Sequence, residues 1–154
     1  MSVFVDTSAL YAVLDADDAE HSRAVAEWHR LVRGAYPLVT TSYVLVETTA
    51  LVQHRLGIDA ARALDQDIRP VLRIEWIDEE LHATGMASML AAGRRRLSLV
   101  DCVSFAFMSR AGLREVFAFD EHFAERGFSC IPSDASTTTE ALGPQQDGES
   151  GAAN

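Results

Sequence analysis

Residues 2–10, SVFVDTSAL, decide the fold, because they form an apolar strand that ends on a carboxylate. Val3, Phe4 and Val5 are continuously apolar and mostly β-branched, as expected of a parallel strand buried on both faces. Asp6 then stands where that strand leaves the sheet. Open parallel α/β sheets bind ligands outside the carboxyl ends of their strands, so an acid there is placed for chemistry. Thr7 and Ser8 add two hydroxyls beside it. The same residues also allow a plainer role, in which Asp6 or Ser8 caps a helix over residues 9–14.

The chain beyond alternates helices with short apolar strands. Residues 17–34 carry helix signals: Asp17 and Glu20 as a capping box, Ala24, Val25, Trp28, Leu31 and Val32 at helical spacing, and Gly34 as the stop. A strand is expected over 37–41, after which Ser42 caps a helix over 43–56. That helix is apolar on more than one face and is expected to be well buried. Glu47 lies inside it with no arginine at i+3 or i+4 to offset its charge. The helix dipole is one way to accommodate it, and a metal ion is another.

Gly57 closes this helix, and Asp59 is expected to cap the next, over 60–68. Residues 72–77, LRIEWI, alternate as a half-exposed edge strand does. Asp78 caps a helix over 79–92. Ser98 and Asp101 have the S-x-x-D spacing of a capping box at the head of an apolar helix over 98–110. Residues 116–119 then form a strand that again ends on a carboxylate, Asp120, repeating the Asp6 pattern. A helical turn over 121–126 leads to a last strand over 128–131.

Length and composition narrow the classes. The chain has 154 residues, 48% of them hydrophobic, enough for one folded domain, expected over 1–134. A disordered acidic tail is expected over 135–154, where almost nothing apolar remains to bury. No apolar run approaches the roughly 20 residues that span a bilayer, and the N-terminus enters the first strand without a leader pattern, so a cytoplasmic protein is expected. Cys102 and Cys130 lack metal-type spacing and fit free thiols in apolar surroundings.

The formal charge is −10. Asp134, Glu140, Asp147 and Glu149 account for four negatives, and the remaining 19 acids still outnumber the 13 basic residues. Such a balance argues against a nucleic-acid coat protein, which needs a basic face. It is compatible with a nuclease whose bound metal supplies the positive charge. All the basic residues are arginine, which excludes mechanisms built on a lysine amine, such as P-loop phosphate binding or a Schiff base. Arg94, Arg95 and Arg96 form the only basic cluster, either a solvated loop or a contact to a phosphate backbone or a partner.

Four acids therefore stand out: Asp6 and Asp120 at strand ends, Glu47 and Asp101 near helix starts. Carboxylates brought close together repel unless a cation neutralises them. Mg²⁺ or Mn²⁺ is the natural match, since these ions prefer oxygen ligands, and such a site supports phosphodiester hydrolysis.

The chain resembles the PIN-domain family, and within it the toxin ribonucleases of VapBC-type toxin–antitoxin modules. The matching segments are VDTSAL with Asp6, ETTAL with Glu47, LSLVD-x-x-S-F-A with Asp101, and FDEHFAERGF with Asp120. They stand in the family's order over about residues 1–132. The resemblance implies a three-layer α/β/α sandwich around a parallel sheet of about five short strands, with the first and fourth strands adjacent. It implies Mg²⁺- or Mn²⁺-dependent endonucleolytic cleavage of single-stranded or loop RNA. Asp6, Glu47 and Asp101 would bind one metal, Asp120 a second or its waters, and Ser8 would hold Asp6. A homodimer and a small antitoxin that enters the groove are also implied. His122 and Phe123 occur in the last motif and are assigned to helix packing.

Two other α/β classes fall behind. A receiver domain needs a catalytic lysine, and a haloacid-dehalogenase-type phosphatase needs a second acid two residues after Asp6, where this chain has Ser8. The alternative from a different class is a PIN-like binding module that holds RNA or an antitoxin without cutting.

Overall fold

The structure, a computed structural model, describes residues 1–133; the tail expected over 135–154 lies outside the described residues. Five strands form one parallel sheet: β1 (Val3–Val5), β2 (Leu38–Thr41), β3 (Leu72–Glu75), β4 (Glu115–Phe117) and β5 (Ser129–Ile131), in the order β3-β2-β1-β4-β5. Seven α-helices accompany them: α1 (Thr7–Leu14), α2 (His21–Arg33), α3 (Ser42–Leu56), α4 (Ile58–Ala63), α5 (Glu79–Ala92), α6 (Leu99–Ala111) and α7 (Glu121–Glu125). The expected sandwich and the pairing of first and fourth strands are both present.

The topology follows from the crossovers. The chain steps outward from β1 to β3, then returns to lay β4 on the other side of β1. Right-handed crossovers therefore place helices of the first half on one face of the sheet and those of the second half on the other. The reversal falls between β1 and β4, where Val3, Phe4 and Val5 pair with Glu115, Val116 and Phe117. That is the switch point at which such sheets bind ligands.

The central strand is buried on both faces: Val3, Phe4 and Val5 are 0% exposed. Phe4 lies 6.1 Å from Phe107 and 6.2 Å from Phe123, centroid to centroid, which pins α6 and α7 beneath it. Burial of a side chain of this size is worth about 3 kcal/mol. On the same face, α5 and α6 meet through Gly85, where an added Cβ would stand 2.4 Å from Val103 Cγ2. Only a glycine permits that approach.

Several local expectations are corrected. The helix expected from Asp17 begins at His21, because the Asp15 and Asp18 carboxylates instead accept the amides of Asp17 and Glu20 and form turns. The cap of α3 is Thr41, whose Oγ1 accepts the Val44 amide; Ser42 Oγ accepts the Ile77 amide and ties α3 to the segment after β3. Gly57, at φ 91°, makes the turn into α4, so Asp59 sits inside the helix rather than capping it. The wide apolar surface of α3 is not all covered: Val46 is 67% exposed. Ile58, Trp76 and Leu90 are similarly exposed.

Cys102 is buried and Cys130 half-buried. No described helix is long and apolar enough to cross a membrane.

Candidate active site

The two strand-end aspartates occupy equivalent positions beyond β1 and β4. Asp6 caps α1 and is 4% exposed; its Oδ2 accepts the Ser8 amide at 3.0 Å and the Ser8 hydroxyl at 2.7 Å. Asp120 caps α7, its Oδ1 accepting the His122 amide at 2.9 Å. Asp101 completes a capping box at the head of α6, its Oδ2 accepting the Ser98 amide at 2.9 Å. The plain capping role and the placement at the sheet edge are thus combined in the same residues. In each case a backbone amide anchors one carboxylate oxygen, and the described hydrogen bonds leave the other free.

Glu47 lies in the second turn of α3, half-buried, with Thr7 donating to it. Thr7 is positioned in turn by the Thr48 hydroxyl, 3.1 Å away. Glu47 feels the charges of Asp101 and Asp120, as Asp6 does, so the four acids share one electrostatic environment. One oxygen each of Asp101 and Asp120 and one nitrogen of the His122 ring lie within 4.8 Å of one another. His122 is the residue the sequence reading left to packing. It is buried as packing requires, yet its polar ring faces acids.

The electrostatics are those of an unneutralised acidic pocket. Burial pushes the Asp6 carboxyl up to about 7; the Ser8 bonds pull the other way, and repulsion from Asp101 and Asp120 adds to the rise. Burial likewise raises Glu47 and Asp101, with further repulsion from Asp120 on each. His122 is drawn both ways: burial disfavours its charge, but Glu125, Asp120 and Asp101 outweigh that and raise its pKa. Among the described residues no arginine pairs with any of the four acids. Glu27 in α2 is the contrast: it is as buried as Asp101, and Arg30 Nε meets it at 2.9 Å. The donor set of the site, carboxylate oxygens that no arginine among the described residues pairs with, is that of a hard divalent ion.

Arg94, Arg95 and Arg96 lie exposed in the loop before α6, ahead of Asp101 in the chain. Arg94 is engaged by Glu125 at 2.9 Å, whereas Arg95 and Arg96 make no described ion pair.

The parallel sheet, the acids at its switch point and residues 3–129, which match the PIN domain family, define the class: the chain belongs to the PIN-domain family. Its relatives include the 23S rRNA-specific endonuclease VapC20 of Mycobacterium tuberculosis, 35% identical over 128 residues, spanning 82% of this chain and 95% of that protein. Ribonuclease VapC26 of the same organism is 31% identical over 130 residues, 79% of this chain and 90% of that protein. The crystal structure of VapC20, described as a sarcin-ricin loop cleaving toxin, superposes with a TM-score of 0.72 at 32% identity, covering 82% of this chain and 95% of that one. FitAcB from Neisseria gonorrhoeae shares the fold at a TM-score of 0.60 and 20% identity, over 84% and 96% of the two chains.

Proposed function

We propose that this chain is a metal-dependent endoribonuclease that cleaves single-stranded or loop RNA and serves as the toxin of a toxin–antitoxin pair. The observation that carries the reading is the pocket itself. Four carboxylates gather at the switch point with no arginine among the described residues paired to them, a costly arrangement unless a cation is bound. Identity to VapC20 and VapC26 supports nuclease activity and RNA as the substrate class.

In this reading Asp6, Glu47 and Asp101 hold Mg²⁺ or Mn²⁺, and Asp120 holds a second ion or its waters. A metal held by these residues would supply Lewis-acid activation of a water and charge stabilisation for the leaving oxygen. Ser8 fixes the carboxylate of Asp6 so that its free oxygen faces the pocket. Thr7 does the same for Glu47. Arg95 and Arg96, with Arg94, meet the RNA backbone or the protein partner beside the pocket. The nuclease domain is assigned to residues 1–134, in a cytoplasmic homodimer inhibited by a small antitoxin that enters the acidic groove. The exposed Val46, Ile58, Trp76 and Leu90 supply apolar surface for such assembly.

The test is cleavage of a mixed pool of structured RNAs by the purified protein in Mn²⁺ or Mg²⁺, against EDTA and against Asp6→Asn. Metal-dependent cutting lost in both controls is the expected result. No cutting, together with no shift of melting temperature on adding metal, overturns the reading and favours a binding module.

A further inference from the structure

We propose that His122 is a metal ligand beside Asp101 and Asp120, and that this nitrogen donor makes the site favour a first-row transition-metal dication over Mg²⁺. The inference rests on the nuclease reading and adds to it a residue outside the four acids.

Three observations bear on it. A ring nitrogen of His122 and one oxygen each of Asp101 and Asp120 lie within 4.8 Å of one another, one from the head of α6 and two from the β4–α7 junction. An ion with bonds of about 2.1 Å holds its ligand atoms at most about 4.2 Å apart, so a small side-chain adjustment closes the trio on one ion. His122 is 6% exposed, which limits the rotameric freedom that would otherwise oppose binding.

The third observation is the support behind the ring. His122 Nδ1 lies 3.3 Å from Glu125 Oε2, and the same oxygen meets Arg94 Nη1 at 2.9 Å. Metal-binding histidines characteristically give one ring N–H to a carboxylate, which fixes the tautomer and leaves the other nitrogen its lone pair. Glu125 supplies that carboxylate, and Arg94 holds Glu125 in place. Packing alone requires neither. A histidine kept only for packing has no need of two further acids, Asp101 and Asp120, within 4.8 Å of a ring nitrogen.

The chemical consequence is selectivity. Mg²⁺ takes oxygen ligands almost exclusively, whereas imidazole suits the transition metals. A carboxylate-only pocket would bind Mg²⁺ and Mn²⁺ through the same atoms; a pocket that includes His122 separates them.

The experiment uses the metal-free full chain and Mn²⁺ alone as probe. Electron spin-echo spectroscopy of the bound Mn²⁺ reads nitrogen coupling from a coordinated imidazole, and ¹⁵N-histidine labelling identifies its source. Calorimetry compares Mn²⁺ and Mg²⁺ affinities. Expected are a histidine coupling in the wild type, its loss in His122→Asn, and a fall in Mn²⁺ affinity of about 10- to 100-fold in that variant, with a smaller change for Mg²⁺. Glu125→Gln retains the coupling but weakens Mn²⁺ binding. Mn²⁺ bound without histidine coupling in the wild type overturns the role of His122 and leaves the nuclease reading standing. No Mn²⁺ bound by the wild type overturns both. The wild-type spectrum decides the matter even if His122→Asn fails to fold.

Discussion

The Ser8 hydroxyl donates to Asp6 Oδ2 at 2.7 Å and accepts the Phe119 amide at 3.0 Å, so one side chain links the end of β1 to the segment that carries Asp120. Both strand-end acids are thereby held in one frame. Ser8→Ala removes both bonds, which costs about 1–2 kcal/mol of stability. It also removes the hydroxyl bond that helps hold the Asp6 pKa down, leaving only the backbone amide of residue 8. Metal affinity at neutral pH is expected to fall about tenfold, read by calorimetry with Mn²⁺. An unchanged affinity would detach Ser8 from the site.

Asp6→Asn separates stability from chemistry. Asparagine keeps an oxygen that accepts the Ser8 bonds and caps α1, so the fold is retained. The buried charge is gone. Cleavage is expected to be abolished, while the metal-free protein melts several degrees higher than the wild type at pH 8. A variant that unfolds would contradict the assignment of Asp6 to a repulsive pocket.

The same pocket sets the sign of the pH dependence. Asp6 is raised from 3.8 to about 7, so the folded state binds its proton more tightly than the unfolded chain. Its contribution is fully present below the unfolded pKa and is lost as pH rises through the folded one. The loss is on the order of 4 kcal/mol by pH 8. Glu47, Asp101 and His122 are raised too and act in the same direction. The metal-free protein is therefore expected to melt lower at pH 8 than at pH 5, with saturating Mn²⁺ shrinking or reversing the difference. A metal-free melting temperature that rises over this interval would contradict the pocket's electrostatics.

Much of this site was legible because strand ends and helix caps leave local signals. A β-branched run that stops at an acid places Asp6, and S-x-x-D places Asp101, without knowledge of any distant residue. His122 was not legible in the same way. Asp120 stands two residues before it, but Asp101 comes from the head of α6, and only the packing of α6 against α7 sets that carboxylate near its ring. The signal that could have drawn attention was Glu125, three residues on and able to hold an imidazole. The start of α2 was misplaced for a related reason: Asp17 and Glu20 have capping-box spacing, but Asp15 and Asp18 satisfy the nearby amides as turns first. The exposed strip of α3 shows that an apolar helix need not be buried within its own chain.

Arg95 and Arg96 test the approach of RNA. Neither makes a described ion pair, so replacing both by alanine leaves no carboxylate stranded. KM for RNA is expected to rise with kcat unchanged, and the dependence of binding on log salt to lessen by about one unit per arginine that meets a phosphate. A fall in kcat at constant KM would place them in the chemistry instead.

Gly85 offers the last prediction, a change distant from the acids in sequence that reaches them through a helix. Its missing Cβ lets α5 lie against Val103, whose backbone N and Cα would both stand 3.1 Å from a methyl at that position. Backbone cannot rotate away as a side-chain tip can, so Gly85→Ala must push α6 from α5. The gain in helix propensity from alanine, about 1 kcal/mol, is set against overpacking of about 1–3 kcal/mol in a buried seam. Overpacking wins, and a lower melting temperature is expected. Val103 is two residues beyond Asp101 on the same helix, and Ser98 holds Asp101 to its head. A shifted α6 carries that carboxylate away from Asp120, so Mn²⁺ affinity falls with stability. Gly85→Ser should do the same. Calorimetric titration below the melting range of each variant separates the two effects: reduced stability with unaltered Mn²⁺ affinity would show that the α5–α6 contact supports the fold without positioning Asp101.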